Sequence, residues 1–87
     1  MGLDIVEMCM DIEKAFGIDV PDEEWQEATT VGKAYETVYR HLGIPAAESY
    51  EGTEEWEKLL DVIERSAAVN RIDLHWYANF VRDLRLD

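Results

Sequence analysis

Between Leu3 and Val31 the chain reads LDIVEMCMDIEKAFGIDVPDEEWQEATTV, and no other run constrains the fold as much. At about 100° per residue, Ile5, Cys9, Ile12 and Phe16 fall on one narrow stripe, with Met8 beside it. The spacing predicts an amphipathic helix from about Asp4 to Phe16, with that stripe facing a core. Glu7, Asp11 and Lys14 point away from it. Val6 and Met10 lie to one side, close to Glu13. They either widen the core stripe or form a small apolar contact patch ringed by carboxylates.

Gly17 ends this helix, because glycine adopts positive φ without a steric penalty. Val20-Pro21 sets an extended step. Asp22, or the Pro21-Asp22 step itself, opens a short helix over Glu23–Ala28, whose first-turn acids suit the helix dipole. Thr29 or Thr30 caps the next helix, from about Val31 to Leu42, with Val31, Ala34, Tyr35, Val38 and Leu42 on one face. Gly43 and Pro45 stop it. Residues 44–53, IPAAESYEGT, read as a linker without periodicity. Thr53 before Glu54, Glu55 and Trp56 is a helix-start signature. The helix from about Glu54 to Ala67 places Trp56, Leu59, Leu60, Ile63 and Ala67 on one side. Beyond Ala68 the period is lost. Val69, Ile72, Leu74 and Trp76 read as anchors of a loop, and residues 80–84 as one helical turn. No strand signal is present. The expected fold is an all-α bundle of three longer helices and one short one.

With 87 residues the chain forms one small domain with a thin core, burying roughly 60–65% of its unfolded surface. Its net charge of −12 is uneven: residues 1–27 hold nine acids and one base. That balance argues against nucleic acid, whose phosphates demand Lys and Arg, and against anionic membranes. It favours partners with basic patches. Cys9, the single cysteine, excludes an internal disulfide and suits a reducing, cytoplasmic setting. No apolar run has the length of a membrane span and no signal peptide is visible. Met1-Gly2 does not continue into a myristoylation motif, because Val6 stands where Ser or Thr is required.

Catalytic signals are weak. His41 and His75 are far apart and lack ligand spacing, so no metal site is expected. Cys9 on the core stripe reads as a small buried hydrophobe rather than a nucleophile. Asp19, Asp22, Glu23 and Glu24 do not follow the order of a calcium loop and read as helix-start charge. No acid/base pair or nucleophile constellation emerges, and no enzymatic activity is expected.

Leu3-Asp4-Ile5-Val6-Glu7-Met8 resembles the start of the second helix of acyl carrier proteins, the helix that follows the phosphopantetheine serine. Glu13-Lys14-Ala15-Phe16-Gly17-Ile18-Asp19-Val20-Pro21-Asp22-Glu23-Glu24 resembles that family's E-x-x-F-x-I-x-I-P-D-E run. Thr29-Thr30-Val31 resembles the start of its last helix, and the spacing holds from Leu3 to Val31 without a gap. The order of the parts departs from the family, which begins with a long helix and a loop leading to F-V-E-D-L-G-x-D and then S-L-D. Here Glu54–Ala67, residues 68–79 and Phe80-Val81-Arg82-Asp83-Leu84-Arg85-Leu86-Asp87 follow instead. Joined end to start, the sequence reads FVRDLRLD-(MG)-LDIVEM.

The resemblance therefore implies an acyl-carrier-like four-helix bundle in circularly permuted order. Residues 1–43 correspond to family helices two to four, 44–53 form a bridge, and 54–87 correspond to the first helix and its loop. Phe80 and Leu84 are then expected beside the first helix. A tail docked on a neighbouring chain gives a domain-swapped dimer or a head-to-tail array. The position of the family's attachment serine is held by Gly2, which has no hydroxyl, so no 4'-phosphopantetheine is expected there. By the same resemblance, Asp4, Val6, Glu7, Met10, Asp11 and Glu13 form the face offered to synthase-type enzymes. A module of this kind binds partners, or holds an apolar ligand between its helices, without shuttling a thioester. The alternatives are a scaffold or oligomerisation module using the fold for packing alone, and an engineered or degenerate form of an ordinary carrier of fatty-acid or polyketide synthesis.

Overall fold

A computed structural model of the chain describes residues 3–43 and 53–86. Among them four α-helices run in the order α1 (Leu3–Phe16), α2 (Asp22–Glu27), α3 (Val31–Leu42) and α4 (Glu54–Ala67), followed by a 3₁₀ turn, Arg71–Asp73. No strand occurs among the described residues, and Thr30 and Asn79 form an isolated antiparallel bridge. The all-α bundle expected from the periodicity is the fold found. Gly2, Asp87 and residues 44–52 of the expected bridge lie outside the described residues.

The helix ends follow from local chemistry. Thr30 has extended backbone (φ −126°, ψ 163°) and its hydroxyl accepts from Lys33 N–H at 3.2 Å. Thr53 does the same for Trp56 N–H, also at 3.2 Å. Each cap satisfies a donor that a helix leaves open at its start. Gly43 closes α3 in the left-handed region at φ 70°. The short helix is shifted one residue from its expected Glu23–Ala28, to Asp22–Glu27. Pro21 stands outside it at φ −59° and ψ 146°, and its carbonyl accepts from Glu24 and Trp25 N–H. Ala28 has already left the helix at ψ 69°.

The core lies between α1, α3 and α4. Met8 and Ile12 of α1, Val31 and Val38 of α3, and Leu59 and Ile63 of α4 are essentially inaccessible to solvent. α1 packs mainly on α4. Phe16, at the end of α1, lies under the Lys58 ammonium of α4, 5.1 Å from the ring centre. A second cluster stacks Tyr35 of α3 against Trp56 of α4, with ring centres 5.3 Å apart and edge to face. Trp76 of the tail sits 5.9 Å from each of those rings.

The tail completes the core. Leu74, Ala78, Phe80 and Leu86 are buried in the same cluster as Ile5, and Leu84 packs half-buried against it. Its backbone also finishes the start of α3. Val31 N–H donates to Ala78 C=O at 3.0 Å, Gly32 N–H to Trp76 C=O at 2.8 Å, and Phe80 N–H to Thr29 C=O at 3.0 Å. With Lys33 N–H bonded to the Thr30 hydroxyl, the open donors of Val31, Gly32 and Lys33 all have partners, and Ala34 N–H makes the first intrahelical bond, to Thr30 C=O.

One expectation for the tail is corrected. Ile72, read as an anchor, is 88% exposed, and the buried anchors are Leu74 and Ala78. The 3₁₀ turn is held instead by Arg71. Its guanidinium bonds Glu57 at 2.6 Å and also reaches Asp61 and Glu64, three carboxylates on successive turns of α4. That leaves Ile72 on the outer side of the turn. Residues 80–84 form the single turn expected, closed by Asp83 N–H to Asn79 C=O at 3.0 Å, the spacing of a helical bond, and it does not continue into a longer helix. The Asn79 side chain accepts from Val81 and Arg82 N–H at 3.0 and 2.9 Å, and the Asp83 side chain accepts from Asn79 N–H at 2.8 Å. These are helix-start bonds: Asn79 caps the turn and Asp83 reaches back to the N–H of the cap.

Candidate docking face on α1

One helix, α1, positions all six residues singled out by resemblance, and it divides them. Asp4, Val6, Glu7, Met10 and Asp11 are exposed. Val6 and Met10, four residues apart, keep 39% and 51% of their surface in water. They stand outside the core stripe, so of the two readings open to them the apolar patch beside acids matches their positions. Asp4, Glu7 and Asp11 follow at intervals of three and four, a spacing that keeps them on neighbouring turns of one helix surface. Asp11 accepts from the Ser66 hydroxyl of α4 at 2.7 Å, which fixes its side chain.

Glu13 is turned inward. Its Oε1 accepts from Val20 N–H at 3.2 Å and from the Trp25 indole N–H at 2.9 Å. It thereby ties the turn after Gly17 and the helix α2 to α1. The sequence held no direct signal for this contact, whose donors lie 7 and 12 residues away.

Beside the start of α1 a cleft of about 360 Å³ opens, walled by Ile5, Trp25, Ala28, Phe80 and Val81, with Gln26, Thr29 and Asn79 at its polar margin. It exists because the tail returns to α1 and α2; no segment of the chain forms it alone. Its position explains why local patterning did not find it.

The charged groups around the face are sorted by their partners. Hydrogen bonds from Arg40 and His41 hold Glu24 below the usual carboxylate range and clip α2 to α3. The N–H of Asn79, and then Arg82, hold Asp83 low. Cys9 is buried on the core side of α1. Desolvation, with the negative charges of Glu13 and Asp22, pushes its thiol up to about 12. A thiol held protonated this way is a poor nucleophile near neutrality. No group of three His, Cys, Asp or Glu able to hold a metal is found among the described residues. No described helix is long and apolar enough to cross a membrane.

The described residues form a helical bundle that exposes acids beside two apolar residues on α1, and the chain's sequence likenesses include acyl carrier proteins. The chain is 49% identical over 40 residues to an acyl carrier protein of Rubrobacter xylanophilus, covering 46% of this chain and 49% of that one. It is 41% identical over 40 residues to an acyl carrier protein of Lactobacillus johnsonii, covering 46% and 50%. The chain thus spans about half the length of the curated relatives it matches. No family model and no solved structure matches.

Proposed function

We propose that the chain is a non-enzymatic, acyl-carrier-like docking module. Asp4, Glu7 and Asp11 steer it to a basic patch on a synthase-type enzyme, and Val6 and Met10 set the register of contact. Glu13 supports the face from within. The observation that carries this reading is the exposure of Val6 and Met10 between exposed acids, on the helix whose sequence most resembles the carriers. Exposed apolar side chains bordered by charged ones match the apolar centre and polar rim of a transient interface.

The same reading takes the blocks of the carrier fold to be in exchanged order. Two observations support it. The match to intact carriers stops at about half of their length, as a collinear comparison must when two blocks trade places. The late segment Phe80–Leu86 packs beside Ile5, where the family's run before the second helix is expected. Gly2, in the position of the attachment serine, offers no oxygen for a phosphodiester, so the module does not carry the 4'-phosphopantetheine arm there. The cleft behind Ile5 is large enough for part of an apolar chain without a covalent link.

The test has two arms. Incubation with coenzyme A and a phosphopantetheinyl transferase, followed by intact-mass measurement, is expected to leave the mass unchanged; addition of the arm overturns the assignment of Gly2. Titration against a synthase that accepts ordinary carriers is expected to show binding that weakens with salt and with Glu7→Lys/Asp11→Lys. Binding insensitive to both would remove the docking role. Light scattering separates the closed monomer from the scaffold alternative, which requires a swapped or head-to-tail assembly.

A further inference from the structure

Along the seam between α1 and α4 the charge changes sign. The two helices run antiparallel: Phe16 of α1 lies under Lys58 of α4, and Asp11 accepts from Ser66. Beside the second contact an open depression of about 400 Å³ is floored by Ala15 and Val62 and edged by Asp11, Lys14, Arg65 and Ser66. Lys14 and Arg65 are exposed. Among the described residues Lys14 has no hydrogen-bond or ion-pair partner, and Arg65 bonds only the Asp61 carbonyl of its own helix, at 3.4 Å. Asp11 is engaged by the Ser66 hydroxyl at 2.7 Å and forms an ion pair with neither cation. The lining therefore holds two cations and one carboxylate, in a chain whose net charge is −12. Lys14 also ends the exposed row Val6, Met10, Lys14, spaced four residues apart, so the depression begins one turn beyond the apolar patch. Asp4 and Glu7 stand toward the other end of α1; Asp4 and Lys14 are roughly 15 Å apart along its axis, at about 1.5 Å per residue.

We propose that this depression is a second contact of the docking face and takes a carboxylate side chain borne by an otherwise basic partner surface. Basic groups of the partner meet Asp4 and Glu7, its apolar anchor meets Val6 and Met10, and an aspartate or glutamate beyond the anchor lies between Lys14 and Arg65. This deepens the docking role and rests on it: the change of sign along α1 fixes which way round the partner lies. Overall charge decides between a free anion and a tethered one. A free carboxylate or phosphate is repelled by a molecule of −12 before it reaches two exposed cations, whereas the same carboxylate on a basic surface is carried in by the attraction of that surface to the acids. A second copy of this chain is disfavoured in the same way, because both copies are strongly negative. A uniformly basic partner meets like charge at Lys14 and Arg65. Asp11 leaves the lining only one positive charge in excess, which keeps the gain modest.

The experiment uses two synthetic lysine-rich amphipathic helical peptides with one Leu-Leu anchor. One carries a Glu-Glu pair beyond the anchor and the other Gln-Gln at the same place. Binding is read by amide chemical shifts, with Glu7 and Met10 reporting the docking face and Ala15, Val62 and Ser66 the depression. The Glu-Glu peptide is expected to move both sets and to bind about three- to tenfold tighter, the scale of two exposed charge pairs. The Gln-Gln peptide is expected to move the first set alone. Long-range attraction by itself gives the opposite order, because the glutamates lower the positive charge of the peptide. Lys14→Gln/Arg65→Gln is expected to remove the advantage of the Glu-Glu peptide, and Lys14→Glu/Arg65→Glu to reverse it; the amide of Ile63, in the core, checks that each variant keeps the fold. An advantage that survives in either variant overturns the proposal. So does a Glu-Glu peptide that moves Glu7 and Met10 but binds the unaltered chain no tighter than its Gln-Gln counterpart, a result that leaves the docking role standing. Neither peptide moving Glu7 or Met10 removes both readings. Sodium acetate is expected to leave Ala15, Val62 and Ser66 unmoved; saturable shifts with acetate alone make the depression a site for free anions and overturn the tethered carboxylate.

Discussion

The N–H of Gly32 donates to the carbonyl of Trp76 at 2.8 Å, and the indole of the same tryptophan lies over the glycine so closely that a Cβ there would meet Cε2 at 2.4 Å. The first turn of α3 and the tail therefore meet backbone to backbone, through a gap that only glycine leaves. Substitution Gly32→Ala gains about 1 kcal/mol of helix propensity but forces the ring out of the aromatic cluster, an overpacking cost of about 1–3 kcal/mol. The net expectation is destabilisation, read as a lower urea midpoint. In the background Trp76→Leu, where the flat ring is gone, Gly32→Ala is expected to cost markedly less. Equal costs in both backgrounds would mean that the ring does not set the requirement.

Glu13 is expected to behave as a structural residue, unlike its neighbours on α1. Glu13→Ala removes the acceptor of two half-buried donors, Val20 N–H and the Trp25 indole, at a cost of about 1–3 kcal/mol. Glu13→Gln retains a carbonyl acceptor and is expected to lose less. Glu7→Gln, at an exposed position with no such bonds, is expected to stay within about 0.5 kcal/mol of the parent. Chemical denaturation ranks the three. An E7Q loss as large as that of E13A would remove the distinction between the supporting and the presented acids.

The acid limb of stability follows from Glu24 and Asp83. Both are held below their ordinary values, Glu24 by hydrogen bonds from Arg40 and His41 and Asp83 by Asn79 N–H and Arg82. A carboxyl whose folded pKa is depressed stabilises the fold above its unfolded pKa, and that contribution disappears as pH falls through the folded one. Stability is therefore expected to decline as pH falls below the ordinary values of a glutamate and an aspartate, 4.5 and 3.8. Glu24→Gln is expected to flatten the upper part of that decline, because its titration is then missing. Denaturation series between neutral pH and the carboxylate range read the slope directly; an unchanged slope would show that the clip between α2 and α3 carries no linkage.

What could be read in advance divides along a physical line. α3 and α4 were legible to the residue because their signals are local: Thr30 and Thr53 cap within three residues, and the apolar spacing repeats over several turns. The exposure of Asp4, Glu7 and Asp11 on α1 is legible for the same reason, one helix and one period. Glu13 was misplaced among the presented acids because its donors come from another element, and a half-buried glutamate looks like an exposed one in a helical wheel. Ile72 looked like an anchor because residue type was the only guide once periodicity failed, and the clip that turns it outward is made by Arg71 with carboxylates on α4. The cleft was invisible because it needs α1, α2 and the tail together. The bonds that hold the tail to α3 are backbone to backbone, and they leave no trace in side-chain composition.

Cys9 gives a chemical probe of the α1 interface. The residue is 6% exposed and its thiol is pushed up to about 12, so at neutral pH it is both shielded and protonated. Native protein is expected to react with a thiol reagent far more slowly than denatured protein, with a rate set by opening of the bundle. The rate in native buffer should rise with the opening equilibrium constant, about tenfold for each roughly 1.4 kcal/mol of destabilisation introduced elsewhere. Fast labelling of the undisturbed protein would place the thiol outside the core.

Phe80 tests whether the tail is part of the cooperative unit. Its ring is 3% exposed, its N–H donates to Thr29 and its carbonyl accepts from Leu86 N–H at 2.8 Å. Phe80→Ala is expected to cost about 3–5 kcal/mol, a large share of the total for a domain of this size. If the loss is spread over the whole molecule, the domain simply melts earlier and every amide loses protection together. The geometry points to a graded result: Val31 and Gly32 N–H, which depend on Ala78 and Trp76 carbonyls, should exchange first, while the amides of α4 around Leu59 and Ile63, which depend on α4 itself and its packing on α1, exchange later. Hydrogen exchange on the milder variant Phe80→Leu resolves the order without unfolding the chain. Simultaneous loss across α3 and α4 would make the tail a full member of the core; the reverse order, with α4 yielding before Val31 and Gly32, would show that the start of α3 does not rely on the tail at all.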